Sequence, residues 1–422
     1  MGFNFTDLIL LIGTNPLPNY VTAKYIIDNN PELKNVWLLY SAEDHQRSTK
    51  DYADNIKCVL NETAKNFKGE INLIPLTDVE NAQTLKNDLN DNLKRELGNR
   101  IHLNYTGGTK VMGIFVYEWI NSLEVKEKSY SYLSARTFAL INPDKDLDYI
   151  DLRKEIDIEL KDLISLHSYK RLNNDREIFF KAANLYGEWV SYNTDKLFII
   201  SDKKENKSLK YFFYSFMANS KLVCEETFNS KKEIFKFYTI EGKLLEINNT
   251  LPPNIRFFKT NGEFNTGLEY NPRLQEIIEF FSGVMLEMFI YKLLKDNSKN
   301  VYHDWKMKKE GITERFQLDV AWINGYQLIG ISCTTSSNKS ECKSKAFEVI
   351  HRVQQIGGSE AKSILITTME EEISHHESGV SDIKLLGEEL ETDLGVGKKI
   401  LVLGRKDLRK EIFLKKIKEF IK

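Results

Sequence analysis

Over the first 140 residues, short apolar runs alternate with stretches whose apolar positions recur at helical spacing. Leu8–Ile12, Val36–Tyr40, Ile71–Leu76 and Ile101–Asn104 are dense in Ile, Leu and Val and read as buried strands. Between them, Tyr20–Asp28, Thr49–Asn66 and Asn81–Leu97 read as amphipathic helices. This rhythm predicts an α/β fold built on an open parallel sheet, covered on both faces and binding ligands where strands pass into helices. From Pro272 a second pattern sets in. Leu274–Leu294 reads as a long helix, and Phe316–Val320 and Gln327–Cys333 read as strands around an Asn324-Gly325 turn. Lys343–Ile356 is a helix stopped by Gly357-Gly358, and Ser363–Thr367 is a further strand. Between the two patterns, an acidic helical stretch (Asp151–Leu166) gives way to aromatics, a charged turn at 203–207 and a break at 248–254. The expected organisation is a ligand-binding domain over 1–150, a mixed connecting module over 151–268 and a small α/β domain over 269–422.

Composition narrows the classes. The chain has 422 residues, 41% hydrophobic and 28% charged, as a folded protein of two or three domains has. Its 59 basic residues stand against 61 acidic ones, which excludes a wholly basic surface and leaves room for a local basic groove. The four cysteines (Cys58, Cys224, Cys333 and Cys342) show no CxxC spacing. That argues against a disulfide scaffold or a zinc ribbon and for a reducing cytoplasm. The opening apolar run follows an Asp, lacks a basic leader and reads as a buried strand rather than a signal peptide. No stretch approaches the roughly 20 apolar residues that cross a bilayer. A cytoplasmic protein with no membrane partner is expected.

Two loops carry candidate chemistry. Gly13, Thr14, Asn15, Pro16, Leu17 and Pro18 follow the first strand and combine close backbone approach, short polar groups and stiffness. After the later strand come Thr106, Gly107, Gly108, Thr109 and Lys110, where the first amides of a helix and one ammonium make an anion site. GxxxxGK[ST] spacing is absent, so this is not a Walker A loop. Read alone, the first loop is a rigid entry to a helix and the second a threonine cap after flexible glycines. Their position on one edge of one sheet makes the pair more telling than either.

Gly-Thr-Asn-Pro-Leu-Pro-Asn-Tyr at 13–20, taken with Asn-Tyr-Thr-Gly-Gly-Thr-Lys at 104–110, resembles the CARF domain, the CRISPR-associated Rossmann fold. The chain is most similar to the CARF proteins fused to a PD-(D/E)xK restriction-endonuclease-like domain. The resemblance implies a homodimer that places its loops around a two-fold axis. It also implies a cyclic oligoadenylate as allosteric activator, cyclic tetra-adenylate foremost, made by type III CRISPR complexes.

The second half supports that comparison in part. Phosphodiester hydrolysis by a divalent metal (Mn2+ or Mg2+) needs carboxylates to hold the ion and, usually, a lysine near the attacking water. Glu287 on the long helix and Asp319 entering the hairpin are the candidate metal ligands. In the family pattern an acidic-x-Asp pair precedes a strand ending Glu/Ser-Cys-Lys. Here Gln317 replaces the first acid, Ser332 is a family variant of the second, and Thr334 stands where the lysine is expected. Lys339, Glu341 and Lys343, in or after the Ser-rich turn, are candidate replacements. His303 and Asp304, after the helix, are a candidate acid/base pair, though a lone histidine beside a turn is more often structural, and Cys333 reads as a buried thiol without a histidine partner. Lys306, Lys308, Lys309 and Arg315 are candidate phosphate contacts.

The leading expectation is a ligand-activated nuclease acting on DNA and/or RNA. A sensor with an inactive nuclease-like domain, and a ring nuclease that degrades its activator through Thr106, Thr109 and Lys110, stay open.

Overall fold

The structure is a computed structural model; it describes residues 3–42, 48–143, 149–172, 284–309, 311, 315–334, 336, 338–367, 369, 382–394, 400–408 and 410–421. Most of the connecting module expected over 151–268, and the first part of the helix expected over 274–294, lie outside the described residues.

The first sheet takes its strands from the apolar runs: β1 (Asp7–Leu11), β2 (Asn35–Ser41), β3 (Glu70–Leu76) and β4 (Arg100–Asn104), followed by β5 (Glu127–Leu133), β6 (Ala139–Ile141) and β7 (Tyr149–Asp151). Helices α1 (Leu17–Asn29), α2 (Lys50–Thr63), α3 (Ala82–Asn92) and α4 (Lys110–Ser122) alternate with the strands. The strand order is β3-β2-β1-β4-β5-β6-β7, parallel from β3 through β5 and antiparallel over the last two pairings. On β1, Leu8 and Leu10 face the layer of α1 and α2, whereas Ile9 and Leu11 face Leu85, Leu89, Met112 and Val116 of α3 and α4. Both faces are thus buried, which is why the run shows no polar alternation. Chain order reverses between β1 and β4, the place where open α/β sheets leave a crevice at the carboxyl ends of their strands.

A short helix α5 (Leu160–Leu166) leads to β8 (Tyr169–Arg171), which joins the second sheet. That sheet is mixed: β9 (Val301–Lys309), β10 (Arg315–Asn324), β11 (Gln327–Thr334), β12 (Lys362–Thr367) and β13 (Ile400–Leu403), in the order β13-β12-β11-β10-β9-β8. Helices α6 (Met285–Lys295), α7 (Lys339–Gly357), α8 (Asp382–Leu394) and α9 (Lys410–Ile421) accompany it. The Asn324-Gly325 turn joins β10 and β11 as expected, with Gly325 at a φ of 65°. Among the described residues no helix is long and apolar enough to cross a membrane.

Strand β9 corrects the reading of His303 and Asp304 as groups beside a turn: they lie in the middle of a strand. It also carries a kink. Val301, Trp305 and Met307 would share one face of a regular strand, yet Val301 belongs to the core under α6 and the other two to the opposite core. Its partner behaves alike, with Phe316 and Leu318 in one core and Val320 and Trp322 in the other. Both strands change face between the pairs Leu318↔Trp305 and Val320↔His303, which leaves Asp319 and Asp304 at the change-over. Asp304 adopts a φ of 47°, a conformation Asp tolerates better than most residues.

Candidate functional site

The loops after β1 and β4 meet at the crevice. A Cβ built on Gly13 would come within 3.0 Å of the Gly108 nitrogen, and one on Gly107 within 2.2 Å of the Leu11 carbonyl oxygen. Gly108 has a φ of 73°. Glycine is therefore needed on both sides for the two backbones to touch. The Asn19 amide donates to Leu11 O at 2.6 Å and pins α1 beneath Gly107. The Thr109 hydroxyl accepts from Met112 N at 3.1 Å as N-cap of α4, so the remaining first-turn amides and the exposed Lys110 face outward. Among the described residues no carboxylate pairs with Lys110.

The other loop positions divide by role. Thr14 is exposed, while Pro16, Leu17 and Pro18 are buried and fix the entry to α1. The Thr106 hydroxyl accepts from Leu133 N at 2.7 Å and fastens the loop to β5. The Asn15 side chain caps Leu17 N at 3.3 Å and reaches Glu360 of the second unit at 3.5 Å.

The second candidate centre gathers at the kink. Asp319 Oδ2 accepts from Cys333 N at 2.8 Å and from the Ser332 hydroxyl at 3.1 Å. Burial pushes the Asp319 carboxyl up to about 7, the Glu287 charge adds to the rise, and the two hydrogen bonds and the Lys345 ammonium oppose it. Glu287, from α6, lies 3.4 Å from His303 Nε2. Burial, Asp319 and Glu287 together push the Cys333 thiol up, so it is a poor nucleophile, in keeping with its expected role as a core thiol. The structure thus brings together Glu287, Asp319 and Ser332 and adds His303.

The proposed replacement groups go elsewhere. Asn338 caps α7 by accepting from Ser340 N and Glu341 N. This sets Lys339 and Lys343, one turn apart, against Glu389 of α8 at 2.5 and 3.6 Å. Glu341 bonds Ser336, and the Thr334 hydroxyl accepts from Ser336 N. Lys345, whose charge is felt at Asp319, was not singled out in the sequence, where it is one of many lysines on a charged helix.

Among the described residues no group of three or more His, Cys, Asp and Glu side chains is arranged to hold a metal. Two carboxylates nonetheless suit a hard cation that keeps waters and shares substrate phosphates. The mutual repulsion of Glu287 and Asp319 is a charge that such an ion relieves.

Comparison with known proteins agrees with the fold. Residues 8–169 match the family model of the Card1 CARF domain. No curated protein matches the chain. Protein VC1899 from Vibrio cholerae is similar in structure, with a TM-score of 0.62 at 14% identity over 98% of both chains. Can2 from Sulfobacillus thermosulfidooxidans, solved in complex with cyclic tetra-adenylate, has a TM-score of 0.59 at 13% identity over 97% of this chain and 96% of its own. At such identity these likenesses show the fold, a parallel-dominated α/β sheet followed by a second mixed sheet.

Proposed function

We propose that the chain senses a cyclic oligoadenylate, cyclic tetra-adenylate in particular, as a homodimer in the cytoplasm. Its second sheet then serves as a restriction-endonuclease-like, divalent-metal-dependent nuclease on DNA or RNA in type III CRISPR defence. The observation that carries the reading is the meeting of the two glycine loops at the reversal point of the first sheet, with the α4 amides and Lys110 facing out. A cyclic oligoadenylate is a ring of phosphates, and backbone amides, hydroxyls and one ammonium are what such a ring recognises. The match to the Card1 CARF domain supports it. So does the likeness to Can2, which binds cyclic tetra-adenylate.

A symmetric ring suits an isologous dimer. Beside the loop, Ile114 and Tyr117 of α4 are 57% and 41% exposed, unusual for large apolar side chains and fitting for a face that meets a second copy. In the nuclease role, Glu287 and Asp319 would hold the cation, which polarises the phosphate and activates water. Ser332 and the Cys333 amide orient Asp319. Thr334, in place of a lysine, favours the second reading of a sensor whose nuclease-like domain is silent.

Calorimetric titration of the purified protein with cyclic tetra-adenylate tests the sensing step. One ring bound per two chains is expected. Absence of binding to any cyclic oligoadenylate overturns the reading.

A further inference from the structure

Helix α7 lies over β11 in a register that can be followed residue by residue. A Cβ on Gly330 would meet Val353 at 2.0 Å, and Gly357 packs against Leu328, its own Cβ position 3.0 Å from that side chain. Four residues of helix, about 6 Å, thus accompany two residues of strand, about 6.6 Å. Continuing that step sets Val349 level with Ser332 and Lys345 level with Thr334. Residues 357, 353, 349 and 345 recur every four positions, and residues 328, 330, 332 and 334 share one face of the strand. Val349 is buried, while Lys345, one turn nearer the end of the sheet, keeps 53% of its side chain exposed. Next to that row, Arg352 lies over the Phe316 ring of β10 at 5.3 Å, so this side of α7 borders the strand that carries Asp319.

We propose that Lys345 is the cation missing from strand position 334, delivered from the helix to the phosphate that a metal ion on Glu287 and Asp319 would hold. This inference rests on the nuclease reading and names the group that completes it. Lys339 and Lys343 turn instead toward Glu389 of α8. Among the described residues Lys345 pairs with Glu348, at 3.4 Å on its own exposed helix face, an ion pair that an incoming phosphate displaces at little cost. In the hydrolysis, the oxygen of water bonds to phosphorus and the bridging P–O bond breaks. Its electron pair leaves on the departing oxygen, which is protonated as the water gives its proton to solvent. Lys345 stays charged throughout, against the non-bridging oxygens, where charge develops.

The test uses the full chain with cyclic tetra-adenylate, Mn2+ and a labelled oligonucleotide. K345A is expected to slow cleavage at least a hundredfold with its melting temperature unchanged, and K345R to retain part of the activity. The double variant K345A/T334K, which returns an ammonium to the same level from the strand, is expected to recover to within tenfold of wild type. Cleavage by K345A within threefold of wild type, or failure of T334K to rescue, overturns the proposal while leaving the nuclease reading intact. As a readout apart from turnover, Mn2+ should broaden the 13C-methyl signal of reductively methylated Lys345 more than those of Lys339 and Lys343. Equal broadening overturns the assignment. A wild type that neither cuts nor shows any Mn2+ broadening overturns the nuclease reading, and this inference with it.

Discussion

At the scale of single residues, the two candidate centres rely on opposite environments. Lys110 is exposed and unpaired among the described residues, so its charge is available to a phosphate. Replacing it with alanine should remove one charge-assisted contact, about 1.5–3 kcal/mol of binding to cyclic tetra-adenylate by calorimetry. Unchanged affinity would remove Lys110 from the site. His102 is the reverse case. It is buried on β4 with Nδ1 and Nε2 each 2.7 Å from a serine hydroxyl, Ser129 and Ser131, and stacked on Phe5. Burial pushes its imidazole down to about 3 from the ordinary 6.5. The unfolded chain therefore takes up a proton that the folded one refuses. The contribution to stability is complete above pH 6.5 and is lost as pH falls from there toward 3, about 2 kcal/mol by pH 5. The fall in unfolding free energy between pH 7.5 and pH 5 should be smaller in H102Q by that amount, and an equal fall in both proteins would refute the account.

At the scale of elements, legibility followed the hydrophobic period. The strands of the first sheet are buried on both faces, so Leu8–Ile12 and Val36–Tyr40 announce themselves as unbroken apolar runs, and the observed strands overlap them. Strand β9 was not legible, because Val301-Tyr-His-Asp-Trp-Lys-Met-Lys-Lys changes face at Asp304 and so keeps no single period of two. The same kink hid the partnership of His303 with Glu287. Both glycine loops and the pair Glu287 and Asp319 could be found from residue type and position. The register of α7 on β11, which raises Lys345 and turns Lys339 away, depends on packing no local pattern encodes. Turn chemistry predicted the hairpin at Asn324-Gly325 but not what it touches: a Cβ on Gly325 would lie 2.2 Å from the Arg153 carbonyl oxygen. G325A should then cost stability through both its positive φ and this contact, by about 1–3 kcal/mol in chemical unfolding. A variant as stable as wild type would show that the turn does not press on Arg153.

At the scale of the whole molecule, the two sheets share a core. Leu10, Tyr20 and Leu140 of the first unit belong to one buried cluster with Trp305, Met307 and Tyr326 of the second. Ile158 N donates to Gly325 O at 3.0 Å across the boundary, and the Asn15 amide of the loop after β1 reaches Glu360 just beyond α7. Events at the first crevice thus have a packed route to the helix that carries Lys345. The proposed dimer belongs to this scale too. Tyr117→Glu puts a charge into the apolar face of α4, and light scattering should report monomers where the wild type forms dimers. A wild-type monomer with and without cyclic tetra-adenylate would contradict the assembly.

The central claim is that ligand in the first sheet switches on hydrolysis in the second. The most direct measurement is cleavage of labelled DNA and RNA with Mn2+, with and without cyclic tetra-adenylate, by wild type and by Asp319→Ala. The account predicts cleavage by the wild type only when the ligand is present. It predicts near-total loss in Asp319→Ala, whose affinity for the ligand should be unchanged, because a lost metal ligand removes water activation and charge stabilisation together. Cleavage independent of the ligand, or metal-dependent cleavage that survives in Asp319→Ala, would contradict it.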